Sequence, residues 1–431
     1  MEQPVDLDPI CAATHHGCMG LPQELVDHTM DMLHGDIPAL KACSLTCKAM
    51  FASTRRLIHQ TLHLTLGNSL KVLIQEEKPP YERDIRDVEL HLLSFMGGRG
   101  LLKYTQRVHI STLNPFAPEI LLPHLRHFQS LSQVHSLTID RFFANKWVNY
   151  HSTGFAHFYP TLTSLTLNNP CNHDRLLNFA LRFPNLENLS LEGLRVHQHL
   201  ESGVVDTATP QGTPPLRGCL RLAGYGSLAQ LSTAVFREPP KGFNFRSVEL
   251  CNFPGSQARH VLSACAQTLE ILTIKAYSSG NILLPFLPPA IADKFCDPSI
   301  VHTELRHLKL TEMAVLRRLT IRTTFNNVFI DLDNPLLGMI STIMSPVFCE
   351  FVLELGGTAP PPERRPMKSW GLWRDFDDLF EERFARHGDF SLIIIITSEP
   401  SDWEDLRRKA EWGFPLLAER GCIYLETSHP I

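Results

Sequence analysis

A short pattern, apolar-x-x-apolar-x-apolar, recurs along the chain and constrains its fold more than any other feature. Copies are Ile85-Val88-Leu90, Val134-Leu137-Ile139, Leu162-Leu165-Leu167 and Leu186-Leu189-Leu191. Further copies are Phe245-Val248-Leu250, Leu269-Leu272-Ile274, Leu305-Leu308-Leu310 and Leu316-Leu319-Ile321. A weaker one ends at Val108 and Ile110, and Leu220-Leu222 marks another. Alternate residues of a strand share a face, so the last two apolar positions of each copy point the same way. Middle positions 137 and 165 are 28 apart, and 165 to 189 and 248 to 272 are 24 each. These separations fall within or near the range of about 20–29 residues for leucine-rich repeats.

Between copies the sequence turns helix-like, as at 175–183 and 257–265. Strand and return helix, repeated, build a parallel sheet lining a curved solenoid, right-handed by the crossover rule. The fold class expected is therefore α/β. The spacing is irregular: 272 to 308 is 36 and 308 to 319 only 11. Eleven residues cannot hold a strand–helix turn, so either Leu305–Leu310 or Leu316–Ile321 is not a repeat strand. The recurring Asn of standard repeats is missing, which makes these leucine-rich-repeat-like.

Ahead of the repeats lies LPQELVDHTMDMLHGDIPALKACSLTCKAMFASTRRLI, residues 21–58. It reads as three short helices. Pro22 opens the first, and Leu25, Val26, Met30 and Leu33 recur at helical spacing. Gly35 suits a C-cap, and Asp36 an N-cap with Pro38 in the following turn. Ala39, Leu40 and Cys43 give the second helix an apolar face, and Cys47, Met50, Phe51, Thr54, Leu57 and Ile58 the third. So small a unit buries little surface, and spare apolar side chains suit it to docking.

The stretch resembles the F-box. Leu21-Pro22-Gln23-Glu24-Leu25 matches that family's L-P-x-E-L opening, with Val26, Met30 and Leu33 at its spaced aliphatic positions. Asp36, Ala39 and Leu40 match its second helix, and Cys43 to Met50 (CSLTCKAM) its closing C-S-L-x-C-[KR]-A-W, with Met50 where Trp is usual. The whole layout resembles F-box proteins with divergent leucine-rich-like repeats, a family expanded in mushroom-forming fungi. Phrases carrying that likeness are Pro160–Leu167, Phe183–Leu189, Phe351–Leu355 and Pro415–Gly421. The resemblance implies that Leu21, Pro22, Leu25, Val26, Met30, Leu33, Leu40, Cys43, Leu45 and Met50 hold a Skp-type subunit and, through it, cullin. The repeats would then present a protein target, and the chain would be a non-catalytic substrate-recognition adaptor of a Skp–cullin–F-box ubiquitin ligase. A scaffold using the same docking without ubiquitylation is the alternative.

Target contact is expected on the strand face opposite the leucines, the concave side of a solenoid. Its residues are Ser136, Thr138, Asp140, Ser164, Thr166, Asn168, Asn188, Ser190 and Glu192, then Ser247, Glu249, Thr273, Lys275, His307 and Lys309. The row is small and polar at first and basic towards its end.

Domain organisation follows: a flexible lead over 1–20, the F-box unit over 21–62, and a solenoid over 63–431. The solenoid is interrupted at 201–215, 286–298 and 356–366, all rich in turn residues, and ends in a capping unit over about 367–431. The cap is an amphipathic helix over Asp375–His387, a strand over Ser391–Thr397, a helix capped by Ser401 with Glu404, and a strand over Cys422–Leu425. That second helix is read through Leu406, Ala410 and Trp412 towards Leu417.

Forty basic and forty-five acidic residues are spread without long blocks, which argues against nucleic acid. No run is apolar enough to span a membrane, and the start is unlike a secretion signal. Eleven cysteines without a C-x-x-C pair suit reduced thiols in the cytosol or nucleus. Phosphate-cradling, nucleophile-elbow and zinc-protease motifs are missing, and no cofactor or metal is expected. His15, His16 and Cys18 read as a solvated lead, Gly97–Gly100 as a tight turn, and the acidic residues of 375–382 as a solvated helix face.

Overall fold

The computed structural model describes residues 22–66, 70–74, 104–112, 131–140, 155–168, 179–194, 216–224, 243–251, 255–275, 308–324, 333–356, 370–387, 389–396 and 403–427. Outside them lie the N-terminal lead with His15, His16 and Cys18, Leu21, the copy at 85–90, Gly97–Gly100, the interruptions at 201–215 and 286–298, 357–366, and His307. The chain divides into two compact units, Met1–Thr138 with Ser152–Thr161, and Ile139–His151 with Leu162–Ile431.

The first unit opens with three helices, α1 (Gln23–Met32), α2 (Ile37–Ser44) and α3 (Lys48–Ile58). Gly35 takes φ +95°, the left-handed turn that lets the chain double back after α1. Asp36 Oδ1 then accepts the Ala39 N–H at 3.0 Å, capping α2 as its sequence predicts. Cys47 is the N-cap of α3, its sulfur accepting the Met50 N–H at 3.5 Å, so it does not belong to the helix's apolar face. Val26, Met30, Ile37, Leu40, Leu57 and Ile58 form the shared core.

Directly after α3 the chain enters β1 (Thr61–Leu66), turns into antiparallel β2 (Leu70–Ile74), and later pairs β1 in parallel with β3 (Arg107–Thr112). Gln60 joins helix to sheet: its carbonyl accepts the N–H groups of Gln106 and Arg107, and its amide donates to Gln106 Oε1 at 2.7 Å. The β1–β2 hairpin was not legible in the repeat pattern. The weak copy at Val108 and Ile110 is a full strand, both residues being buried. Leu137 is buried on β4 (Ser136–Asp140), the strand through which the chain leaves this unit.

In the second unit the described strands lie in chain order: β5 (Ser164–Asn168), β6 (Asn188–Leu194), β7 (Leu216–Gly224), β8 (Phe243–Cys251), β9 (Ile271–Lys275), β10 (Arg318–Thr324), β11 (Glu350–Gly356), β12 (Ser391–Ile396) and β13 (Ile423–Thr427). Each neighbouring pair is parallel. The α/β class and the open parallel sheet are therefore as expected. Register puts Leu165, Leu189, Leu220, Val248, Leu272, Leu319, Phe351 and Leu392 in one row. Leu167, Leu191, Leu222, Leu250, Ile274, Ile321, Leu353 and Ile394 make the next, and both rows are buried.

Leu316–Ile321 supplies the strand β10, whereas Leu308 and Leu310 are buried without belonging to any strand. The Leu310 N–H is taken by Thr342 Oγ1 at 2.8 Å, so this backbone bonds to a side chain and not to a ladder. Helices α4 (Gly255–Ala264), α5 (Asp333–Ile340) and α6 (Trp370–Arg383) fall between strands. α6 starts five residues before the expected Asp375, and Trp373, Phe376, Phe380 and Phe384 are buried. Ser401 lies outside the described residues, and the long helix expected after it is two, α7 (Trp403–Gly413) and α8 (Pro415–Glu419), broken at Phe414 before Pro415. Trp412 lies on the solvent side and Leu417 in the core of α8.

Candidate functional site

The helices α1–α3 distribute their side chains unlike an ordinary surface bundle. On α1 the polar residues face α3. Gln23 Nε2 donates to Asp27 Oδ1 at 2.9 Å and to Ser53 Oγ at 3.0 Å, Ser53 Oγ donates to Asp27, and Arg56 pairs with Asp31 at 3.0 Å. These bonds hold the Asp27 carboxyl below the usual range, Ser53 first and Gln23 next. Val26 and Met30 enter the core. The remaining stripe holds Leu25 and Met32, seven residues and so about 20° apart around the helix, and both are apolar.

Leu25 is 52% exposed, Met32 76%, Leu45 at the end of α2 87%, and Phe51 on α3 40%. Phe51 does not join the apolar face of α3 as its spacing suggests. Its ring instead lies under the Arg55 guanidinium, 4.2 Å from the centroid. Of the residues expected to hold a Skp-type subunit, Pro22, Leu25 and Leu45 are exposed. Leu33, Cys43 and Met50 pack on the helices' own core. Val26, Met30 and Leu40 are corrected: they are that core, at most 3% exposed, and have no surface to give a partner. Met32 and Phe51 are the additions. Met32 was recoverable from its seven-residue offset to Leu25; nothing in the α3 pattern singles out Phe51.

The polar strand face is a second candidate. In the first unit it includes Ser136 and Thr138; in the second Asp140, Ser164, Thr166, Asn168, Asn188, Ser190, Glu192, Ser247, Glu249, Thr273 and Lys275 alternate with the buried rows. Asn168 Nδ2 donates to Asp140 Oδ1 at 2.7 Å. Lys309 is corrected: it is exposed but on no strand. Nor does the face become basic. Arg221, which the repeat pattern missed, lies 3.6 Å from Glu192 and 3.4 Å from Glu249. Lys275 Nζ meets Glu249 at 2.5 Å, Arg318 meets Glu350 at 3.2 Å, and Arg322 pairs with Glu354.

Each cation in this ladder thus faces a carboxylate. Burial works to raise Glu249, but Lys275, Cys251 and Arg221 outweigh it and leave the carboxyl lowered. Beside it the Cys251 thiol is pushed up to about 12, by burial and then by Glu249, which leaves it inert as a nucleophile. On β12 the face is apolar, with Ile393 and Ile395 half-buried beside Val352 and Glu354 of β11.

Among the described residues, no group of three or more His, Cys, Asp or Glu could hold a metal, and no helix is long and apolar enough to cross a membrane. Compared with models of known protein families and with curated proteins, the chain matches none.

Proposed function

We propose that α1–α3 dock a Skp-type adaptor and that the chain serves as a substrate-recognition subunit of a Skp–cullin–F-box ubiquitin ligase. The observation that carries this reading is the pairing of the motif with its exposure. The L-P-x-E-L opening leads into a helix that turns Leu25 and Met32 to solvent, while a separate core holds the helices together. Exposed apolar side chains on a small, internally packed unit are costly in water and are covered on association. The polar strand face would take the target. Its charges are already paired, so shape and hydrogen bonding, not net charge, would select what binds. The subunit would make no bond itself; it would raise the local concentration of target lysines near a charged conjugating enzyme in the cytosol or nucleus.

The test is a titration of a purified Skp subunit into the full chain and into the double variant Leu25→Arg, Met32→Arg. Central apolar anchors dominate small interfaces, so the variant should lose about 2–4 kcal/mol of binding. Both side chains already face water, so its melting temperature should stay within about 2 °C of the parent. Equal affinity for parent and variant would overturn the docking. Cullin co-purifying with the Skp subunit supports the ligase; docking without cullin favours a scaffold.

A further inference from the structure

His63 and His109 occupy directly opposed register positions on the parallel strands β1 and β3. Their neighbours Leu62, Leu64, Val108 and Ile110 are buried, so alternation sends both imidazoles to the other face, where each is half-buried. The ring centroids are 5.1 Å apart, with the planes inclined at 58°. We propose that His63 and His109 form a two-histidine site for a borderline divalent transition-metal ion of the zinc class.

The geometry suits that ion. A tetrahedral zinc about 2.0–2.1 Å from one nitrogen of each ring would hold the two centroids about 5 Å apart. Face-to-face stacked rings could not turn a nitrogen each to one point, whereas rings inclined at 58° can. Ser111 Oγ lies 3.4 Å from His109 Nε2, close enough to orient that ring as an outer partner of a ligating histidine. Imidazole selects zinc, nickel or copper over magnesium and calcium, which take oxygen ligands. With two protein ligands, the remaining positions would go to water or to a group brought by a partner. The bound ion would clip β1 to β3, close behind the strand's exit from α3.

Calorimetric titration of zinc chloride into the full chain, free of any histidine tag and stripped with chelator, tests the site. One zinc per chain should bind, magnesium should not compete, and His63→Asn or His109→Asn should each weaken binding about tenfold or more. Zinc should raise the melting temperature of the parent and of neither variant. On the unaltered chain, zinc should protect His63 and His109 from diethylpyrocarbonate, mapped by mass spectrometry, ahead of the chain's other histidines. That measurement decides the matter should a variant misfold. Variants that bind zinc like the parent, or protection spread over other histidines, would overturn the proposal.

Discussion

Gly218 shows how much one residue carries in the second unit. It sits on β7 with φ +89°, and a Cβ there would collide with the Glu187 carbonyl. The same carbonyl accepts the Cys219 N–H at 2.7 Å, so it cannot retreat without losing a strand bond. The β7–β8 register also shifts between Gly218 and Cys219, which marks a bulge. Gly218→Ala adds backbone strain to a clash with backbone, and should cost at least about 2 kcal/mol in a denaturant titration. In the first unit, His59 ends α3, and burial, with Arg55 second, holds its pKa below 6.5. A base depressed in the fold is protonated first in the unfolded chain, so its contribution is lost as pH falls below 6.5 towards the folded value. Melts between about pH 7.5 and 5 should show that loss, and His59→Gln should flatten it.

At the scale of elements, one buried carboxylate of α6 caps the start of α8, while Glu381 of α6 pairs with Arg420 at the other end of α8. Asp377, buried on α6, accepts the N–H groups of Leu416 at 2.7 Å and Leu417 at 3.0 Å, capping a helix whose own N-cap Phe414 makes no side-chain bond. Burial raises the Asp377 pKa despite those donors. An acid raised in the fold contributes stability below its ordinary value and loses it as pH rises through the folded one. The charge is therefore a burden at neutral pH, while the acceptor oxygens are needed. Asp377→Ala should cost about 1–3 kcal/mol, and Asp377→Asn, which drops the charge and keeps one of the two acceptors but turns its NH2 towards the other N–H, somewhat less. Equal losses would refute this division.

This cap also shows what sequence could and could not reveal. The phenylalanines of α6 were legible because aromatic spacing reports burial directly. Asp377 was read as part of a solvated acidic face, because only the later approach of α8 gives it partners. The strand rows were legible for the same reason as the phenylalanines, while Lys309 was misplaced because Leu308 and Leu310 are buried outside any strand. On α1–α3, spacing marked Val26, Met30 and Leu40 as apolar, and the F-box resemblance then assigned them to a partner. Resemblance records which positions are apolar; it takes packing to show which of them the helices use up themselves.

Over the whole molecule, two kinds of cross-strand order compete as the source of the second unit's stability. One is the pair of apolar rows from Leu165 and Leu167 across to Leu392 and Ile394, buried throughout. The other is the ion-pair ladder from Glu192 to Glu354 on the opposite face. Magnitudes decide between them. Partly exposed pairs contribute about 0–1 kcal/mol each and weaken with salt, and their carboxylates carry opposed costs of burial. A buried leucine contributes about 2–5 kcal/mol on truncation to alanine. Leu220 stands in the middle of the first row, between Leu189 and Val248, and is 1% exposed. Leu220→Ala should therefore lower stability by about 2–5 kcal/mol. Raising sodium chloride from about 0.05 to 0.5 M shortens the screening length severalfold, yet should change the parent's stability by less than about 1 kcal/mol. Arg221→Met, which removes the central cation and leaves Glu192 and Glu249 facing each other, separates the two views further. If the ladder holds the sheet, that variant loses as much as Leu220→Ala and the parent melts early in salt. If the rows hold it, Arg221→Met loses about 1 kcal/mol or less and regains part of it as salt screens the two carboxylates. Denaturant titrations of the parent and both variants at the two salt concentrations distinguish these outcomes, and the row-dominated result is the one expected.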